Sequence, residues 1–228
     1  MREIVLDTET TGLDTEAGHR IIEIAAIELV NHLPTGRTFH HFVNPEREVH
    51  AEAQAIHGIK TQDLVDKPVF ASIVAELLEF LGDAKLVIHN AEFDIKFLNR
   101  ELKELGFPPI PMTRAVDTVQ MARLKFPGAP ASLDALCQRF GIDNTRRTLH
   151  GALLDAELLS EVYLELIGGR QAAMVLEATV ETSTIVISAP TVARQRAPRP
   201  ITVHEPSPEE LAAHAALLAK LKNPLWLS

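Results

Sequence analysis

The sequence predicts an α/β domain, a β-sheet with helices on its faces, followed by a tail with no core of its own. Three observations predict it. The N-terminal part holds three strand-like apolar segments separated by turn residues. From Pro68 onward, apolar residues recur at helical spacing around one short buried strand. All eleven glycines and ten of the eleven aromatics fall within residues 1–169, so the material for a core ends there.

The elements follow in order. Ile4, Val5 and Leu6 make Arg2–Asp7 a buried strand. Ile21–Val30 and Thr38–Val43 are two more, enriched in β-branched and aromatic residues. Asn31 and Pro34-Thr35-Gly36 supply the turn signals between them. Val69, Ile73, Leu77 and Phe80 place a helix over Pro68–Leu81. Lys85–His89 is a short strand. Phe93–Leu105 is a helix ended by Gly106 and two prolines. Ser132 caps a helix over Leu133–Phe140 that Gly141 stops, and the last domain helix runs from about Leu149 to Ile167.

Beyond Gly169 the composition changes. The last 59 residues have no glycine, one aromatic (Trp226) and six of the fourteen prolines, too little apolar bulk for an independent core. We read 1–169 as the folded domain, 170–206 as a linker and 207–228 as a short helical tail. Thr184-Ile185-Val186-Ile187-Ser188 has strand chemistry inside the linker. Ser207-Pro208-Glu209-Glu210 is a strong helix start, with Ser at the N-cap, Pro at N1 and Glu at N3. Leu211, Ala215 and Leu218 follow at helical spacing, with Leu217 and Leu221 alongside. An apolar helix and Trp226 with no local core read as a docking segment.

Composition excludes several classes. One cysteine, Cys137, leaves no disulfide framework and no four-thiolate zinc site; Cys137 reads as a packed helix residue. The longest stretch without a charged side chain runs from Thr182 to Ala193, too short for a bilayer span. With no apolar leader before the first strand, no membrane partner and a cytoplasmic location are expected. The chain carries 22 basic and 31 acidic residues, a net of −9; residues 1–169 alone carry 16 and 26. A passive duplex-DNA binder is normally basic, so phosphate attraction alone cannot hold this protein to nucleic acid.

The acidic residues fall at the ends of elements. Asp7 and Glu9 close the first strand, and spacing two puts both carboxylates on one side of it. Such a pair repels and raises one pKa unless a cation lies between, and a hard divalent ion with oxygen ligands suits it. Asn90-Ala91-Glu92-Phe93-Asp94 leads from a strand into a helix, with Asp94 in the first turn. His150 and Asp155 are five apart, pointing about 140° from each other on one ideal helix. Both can face one site if His150 lies on the entering loop, which Gly151 permits. Each feature taken alone also fits a solvated strand end or a helix N-terminus. The other histidines singled out, His19, His32, His40, His41 and His50, read as surface or strand residues.

The three features together, in this order, resemble the DEDD 3′→5′ exonucleases, in the subfamily with histidine in the third motif (DEDDh). The residue four before Asp155 is Gly151, not the tyrosine of a related subfamily. Ile4 to Gly12, Ile21-Ile22-Glu23-Ile24, Ile56-His57-Gly58-Ile59, Ser132 to Cys137 and Thr148 to Ala156 are similar to the family of proofreading (epsilon) subunits of bacterial DNA polymerase III. The resemblance covers nearly all of 1–169 and is looser in the tail. It implies a ribonuclease-H-like fold, a mixed five-stranded sheet flanked by helices.

The resemblance also implies roles. Asp7, Glu9 and Asp155 would hold two Mg²⁺ or Mn²⁺ ions at a 3′-terminal phosphodiester, with Asp94 completing the site, partly through water. His150 would be the general base; histidine suits this because its ordinary pKa, ~6.5, lies near working pH. Leu13 would wedge against the terminal base, Glu52 would lie near the 3′-hydroxyl, His57 beside the sugar or base, and Asn90 near the strand's backbone. The substrate would be a single-stranded or frayed 3′ end, which needs less melting than a paired one. Gln171, Met174 and Leu176 resemble a sliding-clamp peptide over 171–176. Leu211, Leu218 and Trp226 would dock on the polymerase (alpha) subunit. Two other readings are a free-standing DEDDh exonuclease that trims RNA or DNA 3′ ends and a non-enzymatic scaffold. The acidic set with His150 argues against the scaffold, and the long tail against the free-standing enzyme.

Overall fold

A computed structural model describes residues 1–169 and 206–218. Gln171, Met174, Leu176, the Thr184–Ser188 segment and Trp226 lie outside the described residues. The chain divides into two units, residues 1–177 and 178–228.

In the first unit, β1 (Arg2–Thr10) is the centre of a five-stranded mixed sheet of order β3-β2-β1-β4-β5. β2 (Ile21–Val30) pairs antiparallel with β1, and β3 (Leu33–Phe42) antiparallel with β2. β4 (Lys85–Ile88) and β5 (Ala115–Asp117) run parallel to β1, as the helices between them require. Side chains alternate across β1. Ile4 and Leu6 join the core under α3 (Phe70–Leu81) and α4 (Ala91–Glu104). Val5 joins the opposite core under α5 (Thr118–Lys125), α6 (Leu133–Phe140) and α7 (Ala152–Leu166). A third, small cluster of Ile22, Val49 and Leu64 lies by α1 (Ala51–His57) and α2 (Thr61–Leu64). Among the described residues no helix is long and apolar enough to cross a membrane.

Several boundaries differ from the sequence reading. Pro34-Thr35-Gly36 is not the turn. The turn is Asn31-His32, both at positive φ (51° and 67°), a two-residue hairpin in which Asn is favoured. Pro34 instead pairs within β3, an edge strand where a missing N–H is tolerated. β5 and α2 escaped periodicity because they are three and four residues long; α5, as long as α6, escaped because Val119, Met121 and Leu124 do not fall on one helical stripe. The last domain helix starts at Ala152, not Leu149, which leaves His150 on the loop. Ser132 caps α6 through Oγ, which accepts from the Ala135 N–H at 3.3 Å, and Cys137 is buried.

The second unit's α8 (Pro208–Leu218) begins as its sequence dictates. The Glu210 N–H donates to Ser207 Oγ at 3.3 Å, and the Ser207 N–H donates to Glu210 Oε2 at 2.8 Å, a reciprocal capping box.

Leu86 of β4 is fully buried beside β1. Leu86→Ala is expected to destabilise the domain by about 2–5 kcal/mol through lost burial and a residual cavity, measured by urea unfolding. A loss under about 1 kcal/mol would mean that the sheet centre repacks freely.

Candidate active site

The site grows from the C-terminal end of β1. Asp7 and Glu9 continue the Val5 row onto the α7 side of the sheet, whereas Thr8 continues the other row. The Thr8 hydroxyl donates to Asp94 Oδ1 at 2.7 Å, fixing a carboxylate that reaches the strand end from α4. Asp94 and Asp155 each lie in the first turn of their helix and are buried; Glu9 is nearly so, and Asp7 is partly exposed. Gly151, extended at φ −160°, is the N-cap of α7, and His150 precedes it. Ligand atoms of Glu9, His150 and Asp155 all lie within 4.8 Å of one another. Three motifs far apart in the chain thus meet at one strand end.

Their electrostatics follow from crowding. Burial, then the neighbouring Asp94, Glu9 and Asp155, raise the Asp7 carboxyl well above its ordinary range. Burial, then Asp155, Glu23 and Asp94, push Glu9 up to about 8. Burial pushes Asp94 up to about 7 against the opposing hydrogen bonds from Thr8. Burial also acts upward on Asp155, but hydrogen bonds from Arg147 and His150 outweigh it and hold Asp155 below its ordinary value. Buried carboxylates with this much unpaired repulsion suit a hard cation with oxygen ligands.

Sequence reasoning missed Arg147. Its side chain is 6% exposed and its guanidinium fork holds Asp155 at both oxygens, Nε to Oδ1 at 2.6 Å and an Nη to Oδ2 at 2.7 Å. The other Nη bonds Asp134 of α6 at 2.6 Å, and His150 Nδ1 accepts from Arg147 at 2.9 Å. Nδ1 also lies 3.4 Å from Asp155 Oδ2, so Arg147 and His150 converge on the same carboxylate. A surface-loop arginine in an acidic chain gives no sequence signal for this; only the fold brings Asp134 and Asp155 to it.

Glu23 is legible in the sequence as part of a strand and of a family-like segment, without a role. It lies opposite Glu9 in the β1–β2 pair, and its Oε2 accepts the Ala152 N–H at 3.1 Å at the α7 N-terminus. His40, read as a plain strand residue, holds Glu23 Oε1 through Nε2 at 2.8 Å.

Beside the carboxylates lies a cavity of about 370 Å³, lined by Glu9, Leu13, Glu52, Ile56, His57 and Phe93 among others. Leu13 is 76% exposed at its mouth. His57 is buried; its Nδ1 accepts the Ile59 N–H at 3.0 Å, leaving the proton on Nε2, which has no partner among the described residues. Burial lowers its pKa against an opposing backbone hydrogen bond with Thr10, and the ring lines the cavity. Asn90 does not line this cavity. It is the N-cap of α4 in the left-handed region (φ 67°) and borders a separate polar hollow with Asp117. His19 and His50, read as surface or strand residues, line the same cavity. His19 is buried, with Nδ1 3.0 Å from the Thr11 hydroxyl. Phe93 had been read only as a helix start.

Comparison with known proteins follows the same lines. The family described as exonuclease matches residues 4–163. A curated DNA polymerase III subunit epsilon from Rickettsia felis is 50% identical over 97% of this chain and 97% of its own. The Escherichia coli protein of the same name is 44% identical over 95% of this chain and 92% of its own. Among solved structures, exonuclease X in complex with 5′-overhanging duplex DNA matches at 26% identity and a TM-score of 0.57, covering 72% of this chain and 90% of that one. The nuclease domain of 3′hExo, a DEDDh member bound to rAMP, shares the fold at 20% identity and a TM-score of 0.62, over 73% and 91% of the two chains.

The raised carboxyls make a stability test. Glu9 and Asp94 move from 4.5 and 3.8 to about 8 and about 7, so the folded state binds more protons than the unfolded chain in that window. Their contribution is complete below about pH 4 and is lost as pH rises through about 8. Asp155 acts oppositely, but only below its ordinary value. In chelator, the melting temperature is expected to fall by several degrees between about pH 5.5 and about pH 8.5, and Mn²⁺ is expected to restore more at the higher pH. Scanning fluorimetry measures both. A melting temperature that rises across this window would contradict the assignment.

Proposed function

The chain belongs to the exonuclease family, of the DEDDh type, and within it to the epsilon subunits of DNA polymerase III; from that premise we propose how its site works as a replicative proofreader. It is a 3′→5′ exonuclease of a family that uses divalent metal. The observation that carries the reading is the convergence of Asp7, Glu9, Asp94, Asp155 and His150 at the end of β1. Asp7, Glu9 and Asp155 would hold two Mg²⁺ or Mn²⁺ ions, with Asp94, fixed by Thr8, completing the site. Bound there, such ions supply Lewis acidity that activates the attacking water and stabilises the leaving 3′-oxygen.

The chain's own groups do the rest. His150 takes the water's proton, while Arg147 keeps Asp155 aimed. The cavity takes the 3′-terminal nucleotide, with Leu13 at the base, Glu52 near the 3′-hydroxyl and His57 beside the sugar or base. Asn90 lies near the strand backbone. None of these contacts reads a base sequence, so selectivity rests with the DNA: a mispaired end frays into the cavity at less cost than a paired one. The product is a 5′-mononucleotide.

The tail supplies the tether that an acidic domain lacks. On α8, Leu211 and Leu217 are 55% and 56% exposed. This helix, with Leu218 and Trp226, docks on the polymerase alpha subunit, and Gln171, Met174 and Leu176 reach the sliding clamp. The assembly works in the cytoplasm on replicating DNA.

Asp7→Ala and Asp155→Ala are each expected to lower degradation of single-stranded DNA by at least about 10²-fold, with the domain folded by circular dichroism. His150→Ala is expected to lower kcat by roughly 10²–10⁴. A folded Asp7→Ala protein with near-normal activity in Mg²⁺ would refute the metal assignment.

Deleting 207–228 is expected to spare activity on free single strands and to weaken binding to the alpha subunit by at least about 10²-fold, since apolar anchors carry most of such affinity. Titration of full-length and truncated chains against alpha measures this. Equal affinities would favour the free-standing trimming enzyme.

A further inference from the structure

His150 has no helix to hold it. It stands on the loop before α7, its side chain 47% exposed. Two contacts bind the backbone around it to α1. The His150 N–H donates to the Ile56 carbonyl at 3.2 Å. The preceding side chain, Leu149, rests on Gly58, where a Cβ would lie 2.6 Å from Leu149 Cδ1. That is closer than two unbonded carbons approach, so the bare Cα of Gly58 forms the seat. Gly58 also ends α1 at φ 76°, a conformation that by itself favours glycine. The close approach of Leu149 is a second, separate demand on that position.

The same short helix faces the nucleotide cavity. Glu52, Ile56 and His57 line that cavity, while His57, Gly58 and Leu149 border a neighbouring hollow of about 360 Å³. One element therefore touches both the terminal-nucleotide cavity and the loop that carries the base.

We propose that Gly58 and Leu149 form a clasp that seats the His150 loop on α1, making Leu149 a positioning residue for the general base. The inference rests on the proposed role of His150 and adds how that residue is held in register with the bound nucleotide. Leu149 is 50% exposed, so its removal takes little from the core. A side chain at position 58 would push Leu149 into solvent rather than unfold the domain. What is lost is registration, and a misplacement near 1 Å at a reacting group costs roughly 10²-fold.

A built-in control separates the clasp from backbone strain. Gly106 has the same φ, 76°, but a Cβ there meets nothing within 4 Å. Gly58→Ala and Leu149→Ala are each expected to lower kcat on a single-stranded oligonucleotide by roughly 10-fold or more, with KM changed less than about 2-fold. The double variant is expected to match the worse single, because both remove one contact. Leu149→Met is expected to stay near wild type. Gly106→Ala is expected to lose as much melting temperature as Gly58→Ala while keeping kcat. The His150 ring resonance, followed by histidine-labelled NMR without substrate, is expected to move in Gly58→Ala and Leu149→Ala but not in Gly106→Ala. Equal kcat losses in Gly58→Ala and Gly106→Ala, losses that multiply in the double variant, or an unmoved His150 resonance would overturn the clasp. A wild-type chain without nuclease activity would instead overturn the proposed function, and the resonance would still decide the clasp.

Discussion

Mutual repulsion among carboxylates at the end of β1 is the constraint on which the rest of this structure depends. Burial, and then neighbouring carboxylates for Asp7 and Glu9 and Asp117 for Asp94, lift all three above the ordinary carboxylate range. A protein stabilises such a cluster by protonation, by an internal cation or by a bound one. Arg147 supplies the internal cation, but its hydrogen bonds go to Asp155 and Asp134, and its charge only partly offsets the rise at Glu9. A bound divalent ion would fill that deficit, and would make the acidity of the domain compatible with its proposed work on anionic DNA.

The sheet makes the crowding possible. A central strand with helices on both faces presents its end to two helix N-termini at once. Residue alternation then sends Asp7 and Glu9 toward α7, and Thr8 toward α4, where its hydroxyl holds Asp94. The favourable ends of the α4 and α7 dipoles face the acids. Glu23, from the neighbouring strand, ties the first N–H of α7 to the sheet. The precision of the site thus comes from regular elements, and the less regular part is the loop that carries Arg147, Leu149 and His150. That loop is pinned at both ends, to α6 through Asp134 and to α1 through Ile56 and Gly58.

The sequence by itself determined the main architecture and the acids. Strands and helices long enough to show a period, such as β2, α3 and α4, were readable, as were the caps at Ser132 and Ser207. Asp7, Glu9, Asp94, His150 and Asp155 were readable because each stands at an element boundary within a family motif. What escaped was set by contacts between distant segments. β5 is too short for a period and α5 lacks a helical apolar stripe, and both exist because β4 and the flanking helices pair and cover them. Pro34-Thr35-Gly36 looked like a turn, but the positive φ of Asn31 and His32 closes the hairpin earlier. Arg147 and Phe93 carry no local signal, and Thr8 and Glu23, though inside family-like segments, show no role there, since the Thr8–Asp94 hydrogen bond spans 86 positions and the Glu23–Ala152 bond 129. Local chemistry chose which residues could bind a cation; only the folded sheet, by bringing strand end, helix starts and loop together, decided which of them meet.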